Sequence, residues 1–187
     1  AVLEYYRGFL ALDRTAFGIL LPEIRESFSI DIQTTLGIVA LSGVAALALQ
    51  VPIAQHADRS NRIPLLVIGA LAWGFFSGMT GLAVGLILLT VARSGSALGK
   101  AVIDPTHNSL IADYFPLDRR ATAFAIYTAG AFVGSALAYL GGGYLREYFD
   151  WRTAFIVVGA PGLAIALVVR FTVREPPRGY SEQRTGD

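Results

Sequence analysis

Long apolar runs, broken by short clusters of charged and turn-forming residues, set the pattern of this chain. A helix that crosses a bilayer needs about 20 mostly apolar residues. Six stretches meet that length, at about 1–21, 34–53, 63–79, 82–111, 121–145 and 151–173. The pattern predicts an all-α integral membrane protein with six transmembrane helices. Pro22 and Glu23 are expected to stop the first helix, and a turn of small residues from Gly78 to Gly81 to separate the third from the fourth. Residues 1–173 would form the bundle, and residues 174–187 a polar, mobile cytoplasmic tail or interdomain linker.

Composition strengthens this reading. The chain is 54% hydrophobic and 16% charged, with a mean hydropathy of +0.55, where a soluble domain carries about a quarter charged residues. A net charge of +1 argues against nucleic acid as a partner. No cysteine is present, so disulfides, thiol nucleophiles and cysteine metal sites are excluded. Neither a His-Glu-x-x-His, a Gly-x-Ser-x-Gly nor a phosphate-cradling glycine loop occurs. No enzyme activity, cofactor or metal is therefore expected; Ser96 with His107 is the one pair on which intramembrane proteolysis could rest. The first residues lack a basic segment and a cleavage site, so no signal peptide is expected.

Basic residues fix an orientation. One set of loops and ends holds Arg59, Arg62, Arg119, Arg120, Arg170, Arg174, Arg178 and Arg184, and the other Arg25, Arg146 and Arg152. Positive charge concentrates on the cytoplasmic side, which places both termini inside the cell, in a multi-pass protein of the plasma (inner) membrane. Small residues recur at helical spacing: Gly130, Gly134, Ala138 and Gly142, then Gly95 and Gly99, and Gly74 and Gly78. In lipid, where association depends on close packing, such ridges predict helix contacts. Charges after the second and fifth stretches give a faint internal echo, as inverted three-helix repeats would.

Ionisable groups inside a bilayer are costly and by default mark function. Asp13 and Arg14 lie in the first stretch, and Arg93, Lys100 and Asp104 in the fourth. Adjacent residues point about 100° apart on a helix, so Asp13 and Arg14 need different partners. Asp13 is expected to face a cation of the fourth helix, and Arg14 a cavity or a carbonyl. Lys100 and Asp104 share a face at i,i+4. These five are the candidate substrate- and proton-binding residues, with Asp13 the first candidate proton carrier and Asp104 the second. Fixing helix register is the competing role for the same charges. His107 is a weaker relay candidate, and Pro105 a candidate bend.

The segment Ala54-Gln-His-Ala-Asp-Arg-Ser-Asn-Arg-Ile63 lies between the second and third stretches. Its Asp58, Arg59 and Arg62 resemble the loop between helices 2 and 3 of major facilitator superfamily transporters. Ala54 and Asn61 replace glycines of that pattern and Ile63 its last basic residue; Asn tolerates positive φ. An ordered series extends the likeness to the Spinster-like branch: Leu12-Asp13-Arg14, Ala92-Arg93 with Gly95 and Gly99, Pro105-Thr106, Leu110-Ile111-Ala112-Asp113, Phe115-Pro116 ahead of Arg119-Arg120, and Asp150-Trp151-Arg152-Thr153-Ala154-Phe155. The resemblance implies the N-terminal half of a twelve-helix fold, built as a 3+3 inverted repeat and working by alternating access. It makes Asp58, Arg59 and Arg62 a gating cluster and puts Asp13 and Arg14 in the cavity. Lys100 stands where that branch has an acid, a reversal that points either to an anionic substrate or to lost transport.

Two functions fit. One is half of a secondary transporter for a small organic or amphipathic solute, coupled to protons through Asp13, with the lipid bilayer and a second six-helix half as partners. The other is a non-transporting membrane subunit that scaffolds a larger complex.

Overall fold

The computed structural model describes the backbone of residues 2–59, 61–173 and 175, with side chains throughout except at 2–3, 54, 56–59 and 142–148. Six helices follow in order: α1 (Val2–Phe28), α2 (Ile32–Arg59), α3 (Arg62–Gly81), α4 (Leu86–Tyr114), α5 (Leu117–Tyr148) and α6 (Trp151–Thr172). Five of them, all but α1, are long and apolar enough to cross a membrane. Glu4, Arg7, Asp13 and Arg14 keep α1 out of that group.

Two boundaries differ from the sequence expectation. Pro22 does not stop α1, which continues to Phe28. Leu20 and Ile24, four residues apart, are both buried in one apolar cluster with Ile38, Leu89 and Phe155. That packing outweighs the hydrogen bond lost at proline, because tertiary contacts supply most helical stability. The turn between α3 and α4 is not Gly78–Gly81, which stays helical, but the following four residues, 82–85. Gly81 allows this: a methyl there would meet the carbonyl of Arg152 on α6.

The packing obeys an inverted repeat. α1 lies mainly against α5, α2 against α4, and α3 against α6, while α4 also packs closely on α3. Exchanging the first three helices with the last three leaves the first three of these pairs intact, and because equivalent helices are three positions apart in an alternating series, the two units are antiparallel. Glycines set the closest approaches. Gly130 and Gly134 of α5 meet the backbone of Glu4 and Gly8 on α1, while Gly99 of α4 meets that of Trp73 and Gly69 on α3. Gly74 and Gly78 of α3 face Gly159 on α6. Gly142 of the helix 5 ridge lies outside the described side chains.

The α1–α2 corner is closed by local chemistry. Ser29 takes the left-handed conformation (φ 50°), and the Ile30 amide donates to Arg25 O at 3.0 Å, closing α1 in a Schellman-type end. Asp31 then caps α2, accepting from the Thr34 amide at 3.0 Å. Hydrogen bonds from the Thr34 side chain and amide hold the Asp31 carboxyl below its ordinary range.

At the same end, Arg152 donates to the carbonyls of Ala83 and Gly81 and lies over the Trp151 ring at 4.4 Å. It thus satisfies carbonyls freed by the α3–α4 turn. Arg152→Ala is expected to cost about 1–3 kcal/mol, read as a lower thermal midpoint in detergent; an unaltered midpoint would show that water replaces the contacts at no cost.

Candidate functional site

Four helices present stripes at three- and four-residue spacing to one cavity of about 1140 Å³. α1 supplies Arg7, Ala11, Arg14 and Gly18; α4 supplies Arg93, Ala97, Lys100 and Asp104. Leu36, Val39 and Gly43 come from α2, and Ala131, Ser135 and Tyr139 from α5. Of the intramembrane charges on these two helices, Arg7, Arg14, Arg93, Lys100 and Asp104 therefore line the same space, and Asp13 does not.

Asp13 is the hub. It is fully buried and lies on α1 between Leu10 and Phe17, which belong to separate apolar clusters. One carboxylate oxygen pairs with Lys100 Nζ; the other accepts from Ser77 Oγ of α3 and stands 3.6 Å from the Arg93 guanidinium. Arg93 rests over the Phe17 ring at 4.1 Å. Arg14, one residue on, is exposed and lines the cavity. The neighbouring charges of α1 thus divide, one inward to α4 and one outward to the cavity.

A second pair lies one turn beyond Lys100. Asp104 bonds Arg7, whose guanidinium also sits 5.1 Å from the centre of the Tyr127 ring. The Tyr127 hydroxyl and His107 Nδ1 form a hydrogen bond of 2.9 Å. His107 is buried with its ring edge-on to Tyr6. Ser96 and His107 stand three turns apart on α4, about 16 Å along its axis, so they form no dyad.

Sequence reasoning passed over Ser77, Arg7 and Tyr127. Arg7 had a signal: it precedes Arg14 by seven residues, which places both on one face of a helix. Ser77 is one hydroxyl among several in the membrane, and no spacing in its own helix singles it out.

The other charged centre joins α3, α4 and the segment after α6. Arg62 is almost fully buried; its Nε donates to Glu175 at 2.7 Å and its guanidinium reaches Ser109 at 2.7 Å and Asp113. Glu175 also accepts from the amides of Arg62 and Ile63, both at 3.0 Å. It thereby satisfies donors left free at the start of α3, where the helix dipole favours a carboxylate. Glu175 is therefore anchored, not part of a mobile tail; the rest of 174–187 lies outside the described residues. Asn61 precedes this helix with φ −64° and so does not use positive φ. The side chains of Asp58 and Arg59 also lie outside the described residues.

Residues 7–186 match the sequence profile of the Major Facilitator Superfamily. The chain belongs to this family. Among its curated relatives, human Protein spinster homolog 1 is 30% identical over 191 residues, covering 99% of this chain and 36% of that protein. The D-galactonate transporter of Escherichia coli is 30% identical over 89% of this chain and 39% of its own length. The multidrug efflux pump LfrA of Mycolicibacterium smegmatis is 34% identical over 84% and 31%. A crystal structure of a bacterial homologue of the human lysosomal transporter Spinster, inward-facing and occupied, superposes with a TM-score of 0.81 at 31% identity. That superposition covers 98% of this chain and 45% of the homologue. This major facilitator chain thus spans between about three and four tenths of the curated relatives it matches, the extent of an N-terminal six-helix half, and is Spinster-like. It is a membrane protein of a transporter family.

Proposed function

We propose that the chain is one half of a secondary carrier that moves a small organic anion by alternating access. The second six-helix half lies in the same polypeptide or in another chain. The carrier sits in the plasma membrane with the Arg62 end and both termini cytoplasmic. The observation behind the substrate class is the charge of the cavity wall. Among the described residues, Arg7, Arg14, Arg93 and Lys100 meet two carboxylates, Asp13 and Asp104. Arg7 is matched by Asp104, Arg93 and Lys100 share Asp13, and Arg14 has no ion pair among the described residues. An excess of positive charge in a low-dielectric cleft concentrates anions. Apolar neighbours such as Leu10, Phe17, Leu36 and Val39 suit a solute with a hydrophobic part. Two relatives are named as transporters of D-galactonate and of hexuronate, both anions at neutral pH.

Asp58, Arg59 and Arg62 form the gating cluster in this reading. Its support is Arg62, which ties the cytoplasmic ends of α3 and α4 to Glu175 and would have to move with the gate.

The test is counterflow in phosphatidylcholine vesicles holding the native polypeptide with its second half. The probes are D-galactonate, a hexuronate, laurate and, as control, an alkylammonium cation. Uptake of one or more anions with exclusion of the cation is expected, and Arg14→Gln should lower anion uptake about 10-fold or more, the loss of one charged contact. Preferential uptake of the cation would overturn the substrate class. No flux of any probe would return the scaffolding reading.

A further inference from the structure

Four cations and two carboxylates stand in and just behind the cavity wall, which leaves two positive charges in excess among the described residues. Two of the cations share one face of α1. Arg7 and Arg14 both line the cavity, two turns and about 10 Å apart along the helix axis. Leu10 and Ala11 line the wall between them. The cavity face of α1 thus reads cation, apolar, cation. Arg14 has no ion pair among the described residues, whereas Arg7 is bonded to Asp104.

The two carboxylates are held differently. Asp13 is fully buried, bonded to Lys100 and Ser77, and is not among the lining residues. Asp104 lines the cavity with its side chain 47% exposed, and that of Arg7 is 31% exposed. An ion pair this open to water is worth little, so its members exchange partners readily. Each has a second partner in place. Arg7 lies 5.1 Å from the centre of the Tyr127 ring, whose hydroxyl is fixed by a 2.9 Å hydrogen bond with His107. Asp104 stands one turn from Lys100 on the same face of α4. Lys100 carries three N–H donors and shares Asp13 with Arg93, so it has both charge and donors to spare for Asp104.

We propose that Arg7 and Arg14 form a two-point site for a solute with an anionic group at each end and an apolar middle, and that Asp104 occupies the Arg7 point until the solute displaces it. The ligand class is a medium-chain dicarboxylate. One solute carboxylate meets Arg14. The other takes Arg7 from Asp104, which turns back to Lys100, while Tyr127 keeps the guanidinium at the cavity wall. A dianion balances the two excess charges of the cleft. This rests on the carrier reading above and names the substrate class of the same site.

The test is calorimetric titration of the native polypeptide with its second half, in phosphatidylcholine nanodiscs. The probes are octanedioate, whose extended carboxylates are separated by a distance similar to the Arg7–Arg14 spacing, and octanoate, which has the same chain and one carboxylate. Octanedioate is expected to bind about 10-fold tighter or more, the gain of one charged contact. Arg7→Gln should remove that advantage. Asp104→Asn should strengthen octanedioate binding about 10-fold, because it removes the competitor for Arg7. Equal affinities of the two probes for wild type, or weaker octanedioate binding by a folded Asp104→Asn protein, would overturn the proposal. The wild-type comparison decides alone if Asp104→Asn does not fold. Binding is read without flux, so the two readings fail separately. Tight octanedioate binding by a protein that moves no probe would support the site and count against the carrier. Uptake of single-charged anions with equal affinities for the two probes would overturn the site and leave the carrier standing.

Discussion

Asparagine in place of Asp13 is expected to abolish transport and to lower the yield of folded protein sharply. Asp13 is the shared counter-ion of Lys100 and Arg93, and Ser77 occupies a further lone pair. Breaking a buried pair by removing one partner costs about 3–5 kcal/mol, because the other charge is left without compensation. Here two cations would be left. The measurement is the thermal midpoint in detergent alongside counterflow. A companion change makes the cause visible: Lys100→Met in the Asp13→Asn background should recover part of the lost stability, since it removes one stranded charge. Asp13→Asn at wild-type stability would mean that water reaches the site and that the pairing is not structural.

Gly134→Ala is expected to have the next largest effect. A methyl at this position would run into the backbone carbonyl of Gly8, and backbone cannot step aside as a flexible side chain can. α1 and α5 would have to separate along their whole contact, which includes the approach of Gly130 to Glu4. Overpacking typically costs about 1–3 kcal/mol; a backbone collision between two helices belongs at the upper end. Gly141→Ala, on the same helix with open space around its position, is the control and should leave the thermal midpoint within experimental error. Equal midpoints for both variants would show that α1 and α5 can part without penalty. Because α1 carries Asp13 and Arg7, a shifted α1 should also loosen both ion pairs, so Gly134→Ala should reduce transport more than its stability loss alone explains.

Much of the fold was legible because the bilayer imposes it. A chain segment in lipid must satisfy its own backbone, so a long apolar run becomes a helix whatever surrounds it. The six stretches in the sequence are the six helices of the bundle. The ends were less legible. Pro22 reads as a stop in isolation, yet Leu20 and Ile24 bury together on the continued helix. Glu175 reads as part of a polar tail, yet it closes the first turn of α3 more than a hundred residues earlier in the chain. No local pattern records a partner so distant.

The site divides along the same line. By itself, the sequence determined that charges stand inside the membrane on α1 and α4, that their spacing puts Lys100 and Asp104 on one face, and that their cost demands partners. Spacing along one helix is a local property, readable from residue numbers alone. Only the tertiary structure decided which partner each charge takes. Asp13 turns to Lys100 and Arg93, and Asp104 to Arg7, because close glycine contacts set α1 against α5 and α4 against α3 at one particular depth and rotation. Pairing between helices depends on that rotation, and a sequence read one helix at a time does not contain it.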